Sequence, residues 1–260
     1  MSQERAAALE DIAARVRVCT QCDLYKGRTH AVPGAGDPHA RIMFIGEGPG
    51  YNEDKQGLPF VGRSGVVLDE WLQTIGLTRD DVFITSVVKC RPPGNRDPLP
   101  IEIETCRQYL EPQIEVIDPL VIVTLGRFSM ARYFPGAKIT AIHGKVKYED
   151  GRAYVPLFHP AAVLRNPALE ELMTEDFQRI PEALAEVKRR RAGGAPAEDP
   201  SAAAAPAPEE VAPPPRQTAA APQEVVTAPP SAPEPPAPAS PPAGDDDDAP
   251  EDKPTQMSLF

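Results

Sequence analysis

Short apolar segments alternate with longer amphipathic segments along most of this chain, and this alternation restricts the possible folds more than any other feature. Four apolar runs have the length of buried β-strands, namely residues 41–45, 82–88, 120–125 and 153–158. Helical periodicity is found in residues 3–17, 65–75, 101–117, 127–134 and 169–188. Strands that alternate with helices form a mostly parallel sheet covered on both faces. The sequence therefore predicts the α/β class, with three α/β/α layers around a central, mostly parallel four-stranded sheet.

The composition changes abruptly near residue 193. From there to the end the chain consists almost entirely of Pro, Ala, Ser and acidic residues, with very few large apolar side chains. A segment of this kind cannot bury enough apolar surface to offset the entropy lost on ordering. We therefore predict a folded domain at 1–192, a disordered linker at 193–255, and a separate terminal peptide at 256–260.

The net charge of −11 is concentrated in this C-terminal segment. The first 192 residues carry 25 basic and 26 acidic side chains, whereas the remainder carries 2 basic and 12 acidic ones. The predicted domain is thus nearly neutral, and its local Arg and Lys groups remain compatible with a nucleic-acid partner. The sequence contains no membrane-length apolar run and no secretory signal, so we expect a cytoplasmic monomer with no membrane partner.

Distinctive residues follow three of the predicted strands. The first strand ends in "GEGPG", the second in "KCRPPGNR" and the fourth in "FHP". In parallel α/β sheets, ligands bind at the carboxyl ends of the strands. We therefore expect these three segments to converge on one cleft.

The glycine-rich segment Gly46-Glu-Gly48-Pro-Gly50 is not a typical phosphate loop. A dinucleotide-binding turn has the spacing G-x-G-x-x-G, and a nucleotide-triphosphate loop ends in Gly-Lys-Ser/Thr; neither pattern is present. The connection continues to residue 62 before the next predicted helix, and long connections in compact domains are often functional. The loop is therefore either a plain tight turn or part of a functional site.

Four cysteines suggest a metal centre. Cys19 and Cys22 form a C-x-x-C pair before the first strand, while Cys90 and Cys106 are separated by 15 residues. A disulfide framework is uncommon in the cytoplasm, and the pair does not stand in the strand–helix context of a redox motif. Four thiolates suit zinc or an iron–sulfur cluster, and the spacing alone does not choose between them. Buried structural cysteines are the alternative.

Several longer motifs resemble those of the family 4 uracil-DNA glycosylases. The motifs are "GEGPG", "PFVGRSG", "VVKCRPPGNR" and "HPAAVLRNP", in this order, together with the four cysteines. The resemblance extends from about residue 18 to residue 180. It implies a parallel α/β/α fold, a 4Fe–4S cluster on Cys19, Cys22, Cys90 and Cys106, and hydrolytic removal of uracil from DNA.

This resemblance assigns roles around an extruded nucleotide. Enzymes that act on a base flip it out of the stack, and Phe60 offers a face on which the uracil can stack. A neutral His159 is expected to donate a hydrogen bond to the departing uracil anion. Glu47 and Glu53 are expected to position water or offset the positive charge of the sugar. Gly46 and Gly48 are expected to let the backbone approach the substrate.

The same resemblance indicates which residues contact DNA outside the base pocket. Leu164 and Arg165 follow the His159-Pro160 pair and suit a wedge that fills the gap left in the stack. Lys89, Arg91 and Arg96 are expected to contact phosphates.

Two positions bear on specificity. Ser86 stands where members of the family usually carry an Asn that reads the Watson–Crick edge of uracil, and Gly48 stands where related families carry a water-activating Asp. Serine discriminates less between bases, so two alternatives remain open. One is a glycosylase of the same fold for another deaminated base, and the other is a non-catalytic protein that binds damaged DNA.

The C-terminal "QMSLF" resembles the peptide by which bacterial repair and replication proteins bind the sliding clamp. Leu259 and Phe260 are expected to fill an apolar pocket on the clamp, with a hydrogen bond from Gln256 at its rim. The preceding Pro-rich and acidic segment would then act as an extended tether.

Overall fold

The structure is a computed structural model that describes residues 2–193. Its described part contains six strands: β1 (Ala35–Gly36), β2 (Ile42–Gly46), β3 (Phe83–Ser86), β4 (Val121–Leu125), β5 (Lys147–Glu149) and β6 (Arg152–Leu157). The α-helices in the same part are α1 (Ser2–Val18), α2 (Tyr51–Gln56), α3 (Arg63–Thr74), α4 (Pro100–Ile117), α5 (Arg127–Ala131), α6 (Ile139–Ile142), α7 (Pro160–Arg165) and α8 (Glu170–Arg191). The predicted linker and the clamp-binding peptide lie outside the described residues.

The six strands form one sheet in the order β1-β3-β2-β4-β6-β5. The four central strands are parallel: β2 pairs with both β3 and β4, and β4 pairs with β6. The α/β class is therefore confirmed, but the predicted count of four strands is wrong. Strands β1 and β5 are only two and three residues long, pair antiparallel at the two edges, and lack the apolar run that marks a buried strand.

The sheet separates two apolar layers because its side chains alternate between its faces. Ile42 and Phe44 of β2 pack with residues of α3 and α8, including Trp71 and Phe177. On the opposite face, Met43 and its neighbours pack with α1 and α4. These two layers of helices complete the predicted α/β/α arrangement.

The long helices match their predicted positions to within about three residues. Pro100 is the first residue of α4, where a proline is tolerated because its missing N–H would have no partner within the helix. Helices α2, α6 and α7 were not predicted, since four to six residues are too few for a helical period to be recognised. Residues 132–134, predicted as helix, follow the end of α5 at Ala131.

No helix in the described part of the chain is both long enough and apolar enough to cross a membrane.

Candidate functional site

A cleft of about 580 Å³ lies at the carboxyl ends of the four parallel strands. The segments that follow all four strands contribute to its lining, which confirms the expected convergence. The predicted site residues that line the cleft are Glu47, Gly48, Glu53, Phe60, Ser86, Arg96, His159 and Arg165.

The imidazole of His159 is held in one tautomer at the start of α7. Its Nδ1 accepts a hydrogen bond of 3.1 Å from the backbone N–H of Ala161, so a neutral ring carries its proton on Nε2. Burial, assisted by Arg165 and opposed by Glu53, lowers the pKa of His159 to about 4. At neutral pH the side chain is thus an uncharged hydrogen-bond donor that lines the cleft.

Phe60 is placed beside His159 by an unusual backbone conformation. It has a φ of +51°, and its ring stacks on the imidazole with 5.6 Å between centroids. The Arg79 guanidinium donates to the carbonyl oxygens of both Pro59 and Phe60. A Cβ on Gly65 would lie 1.7 Å from the Phe60 carbonyl oxygen, so only glycine allows α3 to approach this segment.

The glycines of the first loop accommodate protein side chains. A Cβ on Gly46 would lie 2.8 Å from the Phe60 ring, and one on Gly48 would lie 2.6 Å from Val88. The space beside both residues is thus filled by the protein itself. Gly48 also lines the cleft, and the predicted approach of the substrate to the backbone at Gly46 and Gly48 stays a prediction.

Glu53 bridges the two halves of the loop before α3. One carboxylate oxygen accepts hydrogen bonds of 2.8 Å from the N–H groups of Val61 and Gly62, and the other accepts one of 3.1 Å from Gly50. The carboxylate therefore holds the loop that carries Phe60 against the loop that follows β2. Its predicted action on water or the sugar stays a prediction.

Glu47 is the second carboxylate of the cleft. Burial and the neighbouring Asp97 raise its pKa, while Arg127 and Arg165 counteract this rise. Asp97 itself forms an ion pair with Arg127. The Glu47 carboxylate is thus half-buried among charges of both signs, and this environment raises its proton affinity above that of an exposed carboxylate.

Ser86 ends β3 at the floor of the cleft, and the side chain of Lys89 holds its backbone. The Lys89 ammonium donates to the Ser86 carbonyl oxygen at 2.9 Å, to the Gln113 amide oxygen at 2.8 Å, and to the Thr85 hydroxyl. Lys89 is only 1% exposed, and its burial lowers its pKa to about 8. The prediction that Lys89 contacts phosphate is wrong, because its ammonium lies beneath the cleft rather than at the surface.

The remaining predicted DNA-binding residues are at or near the cleft. Arg96 lines it and forms a two-pronged ion pair with the buried Glu102. Arg91 donates to Asn95 at 2.6 Å, and Leu164 is 42% exposed on α7. Arg96 is therefore anchored, whereas Leu164 is free to contact a bound molecule. Their predicted contacts with DNA stay predictions.

The four cysteines line a second, smaller pocket between α1, the segment after β3, and α4. All four are free thiols, and two hydrogen-bond donors point at their sulfur atoms. Arg28 donates to Cys90 at 3.1 Å, and the Lys89 backbone N–H donates to Cys106 at 3.3 Å. Burial raises the pKa of Cys106 to about 11. The thiolate form therefore needs a compensating positive charge.

These four thiols are the donor set for the predicted metal group. Among the described residues, no three His, Cys, Asp or Glu side chains are close enough to share a single metal ion. All four cysteines nevertheless line one pocket, and donors directed at sulfur are typical around iron–sulfur clusters. The donor set thus fits the predicted cluster.

Several cleft residues were not anticipated from the sequence. They include Asp97, Gly126, Arg127 and Ile139. Gly126 and Arg127 follow the third parallel strand, so the rule that placed the other three loops at the cleft also applied to them. Ile139 reaches the cleft from α6, and no local pattern marks it.

The sequence matches known proteins over most of the described residues. The profile of the Uracil DNA glycosylase superfamily matches residues 33–185. The type-4 uracil-DNA glycosylase of Sulfurisphaera tokodaii is 49% identical over 192 residues, covering 70% of this chain and 87% of that protein. The type-4 enzyme of Archaeoglobus fulgidus is 47% identical over 67% of this chain and 92% of its own length. That of Thermotoga maritima is 44% identical over 67% of this chain and 94% of its own length.

The lowered pKa of His159 predicts a pH-dependent stability. Between pH 6.5 and about 4 the unfolded chain binds a proton at this position more readily than the folded protein does. The free energy of unfolding should therefore fall as the pH drops through this range, and this contribution should be constant above it. Urea unfolding of the wild type and of His159→Gln measures the difference in slope. An imidazole that titrates near 6.5 in NMR spectra of the folded protein would contradict the prediction.

Proposed function

The chain belongs to the Uracil DNA glycosylase superfamily, and we propose that it removes uracil from DNA in base excision repair. The reaction hydrolyses the N-glycosidic bond of deoxyuridine and leaves an abasic site. The observation that carries this proposal is the neutral His159, fixed as a donor through Nε2 and stacked on Phe60 in the cleft at the strand ends.

The leaving group requires stabilisation of negative charge. A uracil extruded into the cleft departs as an anion, and the neutral imidazole N–H can donate a hydrogen bond to its oxygen. The hydrogen bond from Ala161 N–H to Nδ1 keeps the proton on the nitrogen that is free to donate. Phe60 supplies the apolar face on which the base rests, and its contact with His159 fixes both rings.

The sugar develops positive charge as the bond breaks. Glu47 is a half-buried carboxylate of the cleft, whereas Glu53 is bound to backbone N–H groups and Asp97 is paired with Arg127. We assign Glu47 the role of balancing this charge and orienting water. Its raised pKa makes it a better proton acceptor than an exposed carboxylate. Glu53 contributes its negative charge while holding the loops together.

Ser86 is the residue that keeps a second candidate function open. Its hydroxyl lines the cleft where a base edge is expected to lie, and it is shorter and less selective than an amide side chain. A glycosylase for another deaminated base, such as hypoxanthine or xanthine, is the alternative. Oligonucleotides with each base, in single and double strands, followed by cleavage at abasic sites, distinguish these substrates. Binding without cleavage of any of them would indicate a non-catalytic protein.

Replacement of His159 tests the catalytic assignment. His159→Ala should slow uracil excision by about 10²–10³-fold in single-turnover assays, because removing one oxyanion donor costs this much. DNA binding should change far less. His39→Ala is the matched control, because His39 lies before the amino end of β2, whereas the cleft lies at the carboxyl ends of the strands. An unaltered rate in His159→Ala would contradict the role.

We further propose that Cys19, Cys22, Cys90 and Cys106 hold a 4Fe–4S cluster. When bound, this group would cross-link α1, the segment after β3, and α4, and we assign it a structural role. Its thiolates would receive the hydrogen bonds from Arg28 and from the Lys89 backbone. The cysteine pocket is separate from the cleft that holds His159.

Anaerobically purified protein should be brown and contain iron and sulfide. Cys→Ala substitution at any of the four positions should remove the visible absorption, because each thiolate holds one corner of the cluster. Thr105→Ala, in the wall of the same pocket, should leave the absorption unchanged. A colourless protein with stoichiometric zinc would overturn the assignment.

The C-terminal peptide is proposed to bind the sliding clamp through Gln256, Leu259 and Phe260. The support comes from the sequence alone. Met257, Leu259 and Phe260 are large apolar residues at the end of a segment that otherwise has very few of them. A tether that carries such a peptide raises the effective concentration of the enzyme at newly replicated DNA. Cytoplasmic localisation, with access to the chromosome, belongs to the same proposal.

Deletion of residues 256–260 should abolish clamp binding in calorimetric titrations. Excision from short oligonucleotides should be unaffected, because the predicted catalytic residues all lie within residues 47–159. A full-length protein with no measurable affinity for the clamp of its own organism would show that the peptide has another role.

A further inference from the structure

Tyr51 is the most exposed aromatic side chain in the described part of the chain. It is the first residue of α2, its exposed fraction is 56%, and no role has been assigned to it so far. Other tyrosines near a cation, such as Tyr109 and Tyr154, are buried in the core. An aromatic ring that the core does not need is available to a ligand.

Two cations accompany this ring. The guanidinium carbon of Arg91 lies 5.2 Å from the ring centroid, and the Lys55 ammonium lies 5.8 Å from it. Both distances fall within the range of cation–π contacts. The cluster of Tyr51, Arg91 and Lys55, termed here the tyrosine platform, thus offers an aromatic surface and two positive charges.

The platform adjoins the mouth of the cleft on two sides. Gly50, the residue before Tyr51, lines the cleft, and consecutive Cα atoms are only about 3.8 Å apart. On the other side, Arg91 donates to Asn95, which also lines the cleft. A ligand on the platform would therefore be adjacent to whatever occupies the cleft.

We propose that the tyrosine platform binds the unpaired nucleotide next to the target uracil in the same DNA strand. A nucleotide combines a flat π-face with an anionic phosphate, and the platform presents the complement of both. A neighbouring base in a duplex is already stacked and paired, so the platform favours single-stranded DNA. The inference rests on the proposed function, because it takes the cleft to hold the target nucleotide.

Binding is measured by fluorescence anisotropy with single-stranded oligonucleotides that carry a base-free sugar at the target position, so that no excision occurs. Tyr51→Ala should weaken binding by about 5- to 100-fold, the range found for loss of one base–aromatic stack. Tyr51→Phe should restore it, because the ring and not the hydroxyl makes the contact. The slope of log affinity against log salt concentration should become shallower in Arg91→Gln, by the amount expected for the loss of about one phosphate contact.

Tyr148→Ala is the matched control. This tyrosine also has an arginine over its ring, 4.0 Å from Arg190, but it lies in β5 opposite Ala153, at the amino end of β6. The control should bind DNA as the wild type does. A Tyr51→Ala variant that binds within twofold of this control would overturn the proposal.

Removal of the neighbouring base from the DNA identifies the occupant of the platform. A second base-free sugar, placed on either side of the target position, should weaken wild-type binding on one of the two sides. The same change should cause no additional loss in Tyr51→Ala, because both changes remove the same contact. Additive losses would refute the stacking contact. Failure of the wild type to excise uracil would instead contradict the proposed function, and these binding measurements do not depend on excision.

Discussion

The parallel pairing of β2 with strands on both of its sides is the constraint on which the rest of the molecule depends. Together with the parallel pairing of β4 and β6, it places the carboxyl ends of β2, β3, β4 and β6 on the same side of the sheet. Loops far apart in sequence therefore meet there, and His159 comes to lie against Phe60 across roughly a hundred residues of chain. No local interaction within either loop would create this contact.

A half-buried carboxylate and a buried ammonium then fix the loops at the carboxyl ends of the strands. The Glu53 carboxylate uses three backbone N–H donors to join two segments of one loop. The Lys89 ammonium plays the corresponding part beneath Ser86, where it binds a backbone carbonyl and the Gln113 amide. Buried charges of this kind persist only when they are well hydrogen-bonded. They restrict the freedom of the cleft walls, which is what a preorganised site requires.

The candidate catalytic residues and the four cysteines lie in two different pockets. The neutral imidazole and the half-buried Glu47 belong to the cleft, whereas the four thiols belong to a pocket between α1 and α4. Residues 85–90 connect the two regions: the side chain of Lys89 supports Ser86, and its backbone N–H contacts Cys106. Lys89 thus contacts both the cysteine pocket and the floor of the cleft.

Much of this arrangement could be predicted from the sequence, because it depends on local patterns. The apolar runs gave the four central strands, their order of alternation gave the parallel sheet, and the motifs at three strand ends gave most of the cleft. The edge strands escaped prediction, since strands of two and three residues are defined by pairing with a neighbour rather than by their own composition.

The sequence by itself determined which residue types stand at the strand ends, and the tertiary structure alone decided what each one does there. Lys89 reads as a surface cation in the sequence, yet burial and three acceptors make it an internal support. Gly46 and Gly48 belong to a glycine-rich motif in the sequence, and the structure places Phe60 and Val88 in the space beside them. Desolvation lowers the pKa of His159 and so keeps its imidazole uncharged at neutral pH. Each outcome depends on contacts between distant segments, and such contacts are absent from any local pattern of residues.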